Sequence, residues 1–359
     1  MTDQAAFSIF DGHNDALLRV WRAGPGGESA FVEGGGEGHL DLPRALAGGM
    51  RGGLFGVFVP RPPAEPAPPD MDRAAKELSP PVSHDWAAQV AEEQAAILER
   101  LERISGGRLR KALAPGDARA ALDGDHLACV LHFEGAEPIA EDLSNLEAWH
   151  ERGLRSIGLV WARRNAFAEG VPLRFPASPD IGPGLTSAGK ELVRQCRRLG
   201  MLVDVSHLNY RGFLDVAKEY AGPVVATHSC AHAICPAARN LTDEQLRVIR
   251  DTGGIAGVSL NLPDLNPDGS ESTVGALGLI ARHLEHFAAV AGVGHVGIGS
   301  DFDGCPMPER GRDAAGLRRM AGAWVEGEWK KHVLRGVFGD TGCAFLIRLS
   351  AKGDRYEQQ

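Results

Sequence analysis

A histidine and an aspartate lie two residues apart near the start of the chain, directly after the short apolar segment 7–10. They are His13 and Asp15. In an extended backbone, residues i and i+2 point the same way, so an imidazole nitrogen and a carboxylate can face one point. Both groups are ligands that divalent metals such as zinc accept. The pair by itself is more typical of a solvated turn than of a metal site, so its interpretation depends on partners elsewhere.

Further ligand-type side chains follow other apolar segments of the sequence. They are Glu134, His207, His228 and Asp301. Each of them, taken singly, is also consistent with a hydrogen-bonded core residue. As a set, three histidines, one glutamate and two aspartates suit two metal ions bridged by a carboxylate and a hydroxide. The set has this meaning only if the fold brings distant strand ends together.

Short aliphatic segments alternate with longer helical segments along the chain, which predicts parallel βαβ units. The predicted strands cover residues 7–10, 53–59, 127–133, 156–160, 202–205, 224–226, 255–260 and 296–298. In a closed (β/α)8 barrel all strands end on one face, where catalytic residues collect. An open doubly wound sheet is the alternative, but no Gly-x-Gly-x-x-Gly turn follows the first strand. We therefore predict a single TIM-like (β/α)8 domain over residues 1–359, with a metal site at the C-terminal ends of its strands.

The segments between the strands are predicted to be mostly helical. Helices are expected over about residues 85–104, 144–152, 186–199, 210–220, 242–251 and 273–291. Thr186 and Thr242 stand where N-cap residues are favoured. The glycine-rich residues 24–38 are expected to form a loop, the proline-rich residues 60–83 a long excursion of one βα connection, and residues 313–350 a helical tail.

The composition of the 359-residue chain limits its class. A hydrophobic content of 43% with 24% charged residues is globular. With 47 acidic and 38 basic residues, the net charge of −9 argues against nucleic acid as a partner. No segment approaches the ~18 apolar residues of a membrane span. The six cysteines are irregularly spaced and no basic, apolar leader is visible, so reduced thiols and a cytoplasmic location are expected.

Five segments, taken in order and with their spacing, resemble the membrane (renal) dipeptidase family, binuclear zinc hydrolases of the amidohydrolase superfamily. They are Asp11-Gly12-His13-Asn14-Asp15, Glu134-Gly135, Asp204-Val205-Ser206-His207, His228-Ser229 with Arg239-Asn240, and Gly299-Ser300-Asp301-Phe302-Asp303-Gly304. The resemblance covers about residues 7–305. It implies that His13 and Asp15 hold one zinc ion, that His207 and His228 hold a second, and that Glu134 bridges both. A homodimer is a further expectation from the family.

The resemblance also implies a reaction, the hydrolysis of free dipeptides. Two zinc ions lower the pKa of a bridging water toward ~7, and the resulting hydroxide attacks the peptide carbonyl. Asp301 would take the proton and return it to the leaving amine. Arg239 has the fork geometry for the carboxylate of the substrate. Because relatives tolerate a D-residue at the C-terminal side, L-Xaa-D-Xaa dipeptides are expected substrates.

One position departs from the family pattern. Many relatives place a histidine after the fourth strand, where it helps to bind the substrate carbonyl, and here Trp161 aligns with it. An indole N–H donates one hydrogen bond but carries no charge. Either zinc and another donor, among Arg163, Arg164 and Asn165, stabilise the oxyanion, or the substrate range is altered. Trp161 and Asn165 are accordingly predicted to contact the substrate.

Two other functions compete with the dipeptidase. The same metals would serve an N-acyl amino acid deacylase, and the departure at Trp161 leaves open a non-catalytic metal-binding homologue. Among nearby residues, His132 is expected to be structural, Asp204 to orient a ligating histidine, and Asp303 to shape a turn or support the site. Asp11 has no predicted role beyond shaping its turn.

Overall fold

A computed structural model of the chain describes residues 8–63 and 77–326. Its strands are β1 Ile9–Asn14, β2 Met50–Phe58, β3 Leu109–Lys111, β4 Leu127–Glu134, β5 Leu154–Gly158, β6 Leu202–Asp204, β7 Val225–Ser229, β8 Ile255–Ser259 and β9 Val296–Gly299. Its helices are α1 Ala16–Ala23, α2 Gly27–Glu33, α3 Leu42–Ala47, α4 His84–Ile104, α5 Pro115–Leu122, α6 Leu146–Arg152, α7 Ser187–Leu199, α8 Tyr210–Tyr220, α9 Asp243–Asp251, α10 Leu262–Leu265, α11 Ala276–Ala291 and α12 Gly316–Glu326.

Eight of the strands form a nearly closed parallel barrel, which confirms the predicted fold. The order around the barrel is β1-β2-β4-β5-β6-β7-β8-β9. The first strand meets the segment after the last one: Asp15 N–H donates to the carbonyl of Phe302 at 2.8 Å, and Asp301 N–H donates to the carbonyl of His13 at 2.9 Å. All strand ends therefore lie on one face, as the argument from the sequence requires.

The ninth strand, β3, lies off the barrel path and was not predicted. It pairs with the first residues of β4, while β5 pairs with the last residues of the same strand. Its three residues are Leu109, Arg110 and Lys111, and only the leucine is buried. A segment this short with two cations lacks the apolar pattern from which strands are predicted.

Burial follows from the barrel architecture. Because helices cover the outside of a parallel sheet, its strands are buried on both faces, and every residue of β1 and of β4 is buried. The helices begin at polar caps: Ser83, Thr186 and Thr242 accept the backbone N–H groups of the first turns of α4, α7 and α9. The two predicted threonine caps are thus confirmed.

The expected loop at residues 24–38 is wrong in part, because Gly27–Glu33 is helical. Gly26 precedes this helix at φ 92° and Gly34 ends it at φ 88°, a backbone region that favours glycine. Phe31 and Val32 anchor the helix in the core. The sequence did not predict this helix, because the glycines at its two ends give the segment the composition of a loop.

Two predicted segments lie partly outside the described residues. Of the proline-rich excursion at 60–83, residues 64–76 are not described. Of the predicted tail at 313–350, the described part ends with Gly316–Glu326, which is helical. A single domain over residues 1–359 stays a prediction. No helix in the described ranges is both long and apolar enough to cross a membrane.

Candidate metal centre

Six buried side chains with metal-binding groups meet at the C-terminal face of the barrel. His13 and Asp15 come from the end of β1, and Glu134 is the last residue of β4. The other three come from or just beyond β6, β7 and β9, and they are His207, His228 and Asp301. Each of the six is at most 9% exposed. The structure therefore brings together every residue that the sequence suggested as a metal ligand, with Asp301 beside them.

Glu134 stands between two groups of ligand atoms. Its Oε1 atom lies 3.0 Å from His207 Nε2 and 3.5 Å from His228 Nε2. Its Oε2 atom lies 3.7 Å from His13 Nε2, which is itself 3.6 Å from Asp15 Oδ2. Ligand atoms of His13, Asp15 and Glu134 cluster within 4.8 Å of one another, and so do those of Glu134, His207 and His228. One carboxylate thus faces two separate donor groups, one with each oxygen.

The unpaired polar atoms of the cluster fit bound cations. Asp15 Oδ1, both ring nitrogens of His13 and Nδ1 of His207 are buried without a hydrogen-bond partner among the described residues. Buried polar atoms are otherwise nearly always paired, because leaving one unpaired is costly. Imidazole nitrogens and carboxylate oxygens are ligands that zinc accepts. The residues present therefore fit a centre for divalent metal.

The electrostatics of the cluster also favour a cation. Burial raises the pKa of Glu134 to about 8, and the carboxylates of Asp15 and Asp301 add to this. Burial alone would lower the pKa of His13, but Glu134 and Asp15 outweigh it and raise that pKa to about 10. Asp15 and Asp301 raise the pKa of Glu134 by repulsion between carboxylates, and a divalent cation would relieve this repulsion. A metal bound by His13 would displace its proton, because only neutral imidazole is a ligand.

The two histidines of the second group behave differently. Burial, together with the charges of Arg239 and His13, places the pKa values of His207 and His228 well below the usual range. Both rings are then neutral at pH 7 and each has a nitrogen lone pair to offer. This is the protonation state that metal binding requires.

Two of the six residues have a left-handed backbone. His207 has a φ of 65° and Asp301 a φ of 61°, and Asp303 follows at 68°. Side chains other than glycine are strained in this region and keep it only where their surroundings enforce it. For Asp303 the surroundings are explicit: Arg19 Nε donates to its carboxylate at 2.9 Å and the backbone N–H of His39 does so at 2.5 Å. The turn that holds Asp301 is thereby fastened to helix α1 and to the loop before α3.

The absence of a side chain at Gly304 leaves room for two carboxylates. A Cβ atom at Gly304 would lie 2.1 Å from Asp15 Oδ2 and 2.5 Å from Asp301 Oδ1. No side chain larger than hydrogen fits there without displacing both acids. Steric exclusion therefore explains why a glycine ends the Asp301-Phe302-Asp303-Gly304 segment.

Arg239 lies beside the cluster with an unused donor. The residue is 5% exposed, and its Nη1 donates to Ser229 Oγ at 3.2 Å. Its Nη2 has no hydrogen-bond partner among the described residues. The buried carboxylate of Asp264 lies 3.9 Å from its Nε. Asp264 was not predicted from the sequence as a site residue. Its only sequence signal is the presence of an acid within the mostly apolar stretch 260–265.

Trp161 lies beside His207 at the edge of the cluster. Its ring centroid lies 6.1 Å from that of His207 and 5.0 Å from that of Phe58. The guanidinium carbon of Arg163 lies 5.4 Å from the indole centroid. Arg163 itself is buried and is paired with Glu137, from Nε to Oε1, at 3.0 Å. It holds the indole in place, and its charge is already balanced.

The interpretation of Asn165 as a substrate-binding residue is not supported by its contacts. Its Nδ2 donates to the carbonyl of Leu159 at 2.7 Å, and its Oδ1 accepts the backbone N–H groups of Phe167 and Ala168. It also lines a surface pocket whose lining includes none of the cluster residues. Its amide closes its own loop, a role that the sequence does not distinguish from ligand binding. The exposed neighbour Arg164 is paired with Glu169.

A closed barrel with histidine and carboxylate ligands at its strand ends is typical of metallohydrolases. The model of the membrane dipeptidase family, peptidase family M19, matches residues 4–342, and the chain belongs to this family of metallo dipeptidases.

Several relatives are similar over most of the chain. A metallo peptidase from Rhodobacter sphaeroides, solved with a phosphinate mimic of the dipeptide L-Ala-D-Ala, is 40% identical with a TM-score of 0.91, over 96% of this chain and 99% of that one. An uncharacterized protein from the pqqA 5′ region of Klebsiella pneumoniae is 45% identical over 64% of this chain and 84% of its own. The dipeptidase tcpJ of Claviceps purpurea is 28% identical over 76% of this chain and 60% of its own.

Proposed function

We propose that this protein is a binuclear zinc dipeptidase that hydrolyses free dipeptides, including L-Xaa-D-Xaa dipeptides. The observation on which the proposal rests is the placement of Glu134, whose two carboxylate oxygens face two separate groups of ligand atoms. A carboxylate in that position is suited to bridge two cations. His13 and Asp15 would complete the first site, and His207 and His228 the second.

A pair of divalent ions supplies a nucleophile at neutral pH by lowering the pKa of water, and it polarises the carbonyl under attack. The protein must then manage one proton. Asp301 faces His13 and His228 closely enough for their ligand atoms to lie within 4.8 Å of one another. It would accept the proton of the attacking water and deliver it to the nitrogen of the leaving amine.

Arg239 would hold the free carboxylate of the dipeptide. Its Nη2 is buried and has no hydrogen-bond partner among the described residues, which leaves a guanidinium donor available to a ligand. Charge-assisted hydrogen bonds of this kind are about twice as strong as neutral ones. The dipeptide mimic bound by the Rhodobacter relative has a D-residue at its C-terminal side, which supports the proposed L-Xaa-D-Xaa substrates.

Trp161 would bound the other end of the substrate cavity. In the strand order, β2, which ends at Phe58, lies four strands from β7, after which Arg239 follows, and the ring of Trp161 packs against that of Phe58. A dipeptide anchored at Arg239 would therefore extend toward the two aromatic rings. The indole N–H offers one neutral hydrogen bond to the substrate there.

Two further parts of the proposal concern the protein as a whole. A cytoplasmic location is supported by the five described cysteines, none of which forms a disulfide. A homodimer is proposed from the family resemblance, and sedimentation of the purified protein would test it.

The decisive experiment combines metal analysis with a substrate panel. The purified protein should contain two zinc ions per chain, lose dipeptide hydrolysis when a chelator removes them, and regain it when zinc is returned. The panel pairs L-L and L-D dipeptides with N-acyl amino acids. Activity that survives complete metal removal would contradict the metal centre, whereas hydrolysis of acyl amino acids alone would replace the dipeptidase with a deacylase.

A further inference from the structure

The two strands that supply His207 and His228 are joined mainly by side chains. Strands β6 and β7 share one register pair, Asp204 opposite Val225, followed by a hydrogen bond from Val205 N–H to the carbonyl of Val225 at 2.8 Å. Beyond that point the backbones no longer pair. The two histidine Nε2 atoms nevertheless lie 3.2 Å apart.

The carboxylate of Asp204 takes over where the backbone pairing stops. Its Oδ1 accepts the backbone N–H groups of Ser206 at 3.0 Å and of Thr227 at 2.9 Å, one from each strand end. Its Oδ2 accepts the Thr227 hydroxyl at 2.6 Å. The Ser206 hydroxyl in turn accepts the backbone N–H of His228 at 3.2 Å. All four residues are buried.

The direction of these hydrogen bonds fixes the tautomer of His228. A hydroxyl has one proton, and Thr227 donates its proton to Asp204, because a carboxylate oxygen only accepts. The Thr227 oxygen lies 2.8 Å from His228 Nδ1, so it must accept there, and Nδ1 must hold the ring proton. The lone pair is then on Nε2, the atom that faces Glu134 and His207.

His228 differs in this respect from the other two histidines of the cluster. Nδ1 of His13 and Nδ1 of His207 have no hydrogen-bond partner among the described residues. An outer partner that fixes the tautomer of a ligating histidine strengthens metal binding, and its loss typically costs about 10- to 100-fold in affinity. Only His228 has such a partner within the described part of the chain.

We propose that Asp204 and Thr227 are positioning residues for one of the two metal sites, the site of His207, His228 and Glu134. They hold the two strand ends together and keep His228 in its metal-binding tautomer. The inference rests on the proposed two-metal centre. It predicts that damage to this pair weakens one metal site selectively.

Two substitutions test the pair in different ways. Thr227→Val keeps the shape of the side chain and removes its hydroxyl. Asp204→Asn keeps the acceptor for the two backbone N–H groups but places an N–H₂ donor against Thr227. We expect the Thr227 hydroxyl to donate then to His228 Nδ1, which at 2.8 Å is a nearer acceptor than Ser206 Oγ at 3.3 Å, and this puts the ring proton on Nε2. Asp204→Asn therefore reverses the hydrogen bonds instead of deleting them.

The measurement is calorimetric titration of metal-stripped protein with Zn²⁺ alone, without substrate. The wild type should bind two ions. Thr227→Val and Asp204→Asn should bind one ion with wild-type affinity and the other about 10- to 100-fold more weakly. Thr227→Ser keeps the hydroxyl and should therefore bind both ions with wild-type affinity. Ser156→Ala is the matched control, because it removes another buried hydroxyl–imidazole contact, the one to His132 Nδ1 at 2.8 Å.

The outcomes separate this inference from the proposed function. Wild-type protein that binds fewer than two ions would contradict the two-metal centre, and the inference with it. Two ions in the wild type and unchanged affinities in both variants would overturn the inference alone, as would an equal loss at both sites. If the variants fail to fold, ¹⁵N-histidine NMR of the metal-stripped wild type decides: a ring proton on His228 Nε2 would overturn the inference.

Discussion

Asp11 accepts two hydrogen bonds from Ser300 and thereby joins the first and the last strand of the barrel. Its Oδ1 accepts the Ser300 backbone N–H at 2.7 Å, and its Oδ2 accepts the Ser300 hydroxyl at 2.9 Å. The two residues are 289 positions apart in the sequence, and both are buried. Asp11 thus does more than shape its own turn. It connects β1, which contains His13, to the segment after β9, which contains Asp301.

Asp11→Ala should therefore destabilise the whole barrel. The substitution leaves the buried backbone N–H of Ser300 unpaired, which costs about 1–3 kcal/mol, and it removes one of the two acceptors of the Ser300 hydroxyl, which keeps the carbonyl of His13 at 3.2 Å. We expect a loss of roughly 3 kcal/mol in the free energy of unfolding, measured by urea denaturation. Asp11→Asn retains one acceptor and should lose less. Equal stability of the wild type and the alanine variant would contradict the structural role.

Asp301→Asn should separate proton transfer from metal binding. The amide keeps the size of the side chain but cannot act as a base, and general acid–base catalysis typically contributes about 10²- to 10⁴-fold. We expect kcat on a dipeptide to fall by about 10² or more, while metal analysis of the same sample still finds two ions. Full activity would remove Asp301 from the mechanism, and loss of a metal ion would make it a ligand instead.

Arg239→Ala should weaken the binding of dipeptides that have a free carboxylate. A hydrogen bond to a charged group contributes about 1.5–3 kcal/mol, which corresponds to a loss of about 10- to 100-fold in kcat/KM. Dipeptides with an amidated carboxyl group lack the partner of Arg239 and provide the control. A similar loss against both kinds of substrate would contradict the assignment.

Asp303→Asn should reduce activity without removing metal. The substitution weakens the contacts to Arg19 and His39 that fasten the Asp301 turn, and small displacements of a catalytic group have large kinetic effects. We expect kcat to fall about 10-fold with two metal ions retained. Asp41→Asn is a matched control, because Asp41 is another buried partner of an arginine, Arg44, at 2.8 Å, and it caps helix α3. A similar fall in kcat in both variants would indicate general destabilisation.

His283 should make the stability of the protein depend on pH. Its Nδ1 accepts the N–H of Ala231 at 2.9 Å and its Nε2 faces the carbonyl of Leu265 at 3.0 Å, so the buried ring is held neutral. Burial lowers its pKa to about 4. The unfolded chain therefore binds this proton first, and up to about 3 kcal/mol of stability is lost as the pH falls from 6.5 to 4.

The variant His283→Gln tests this dependence. It should show a smaller decrease in the free energy of unfolding between pH 7 and pH 4.5 than the wild type, as followed by urea denaturation. The comparison uses the difference between the two proteins, because other groups titrate in both. Parallel pH profiles would show that His283 contributes nothing to the pH dependence.

The barrel and the placement of the ligands could be predicted from the sequence, because both depend on local patterns. A buried parallel strand is an apolar run, and a polar residue directly after it lies on the functional face, as at Glu134 and Asp301. Asn165 also follows a strand, yet its amide forms hydrogen bonds to the backbone of its own loop. A position after a strand specifies the face of the barrel but not the partner of the side chain.

The features that were missed depend on pairs of distant residues. Asp264 faces Arg239, Glu137 balances Arg163, and Thr227 links Asp204 to His228. None of these pairs has a characteristic spacing, because the fold alone brings the partners together. The sequence could suggest that Asp204 orients a histidine, but the hydrogen bonds that define the tautomer became apparent only in three dimensions.

The left-handed backbone at His207 and Asp301 has a consequence for the evolution of this protein. Each strained residue of this kind costs about 1–3 kcal/mol, and glycine would adopt the same conformation without that cost. A variant selected only for resistance to heat would therefore gain from glycine at the two positions where the proposed mechanism requires a histidine and an aspartate. Stability and turnover are opposed here within the backbone itself, and the natural sequence keeps the less stable choice.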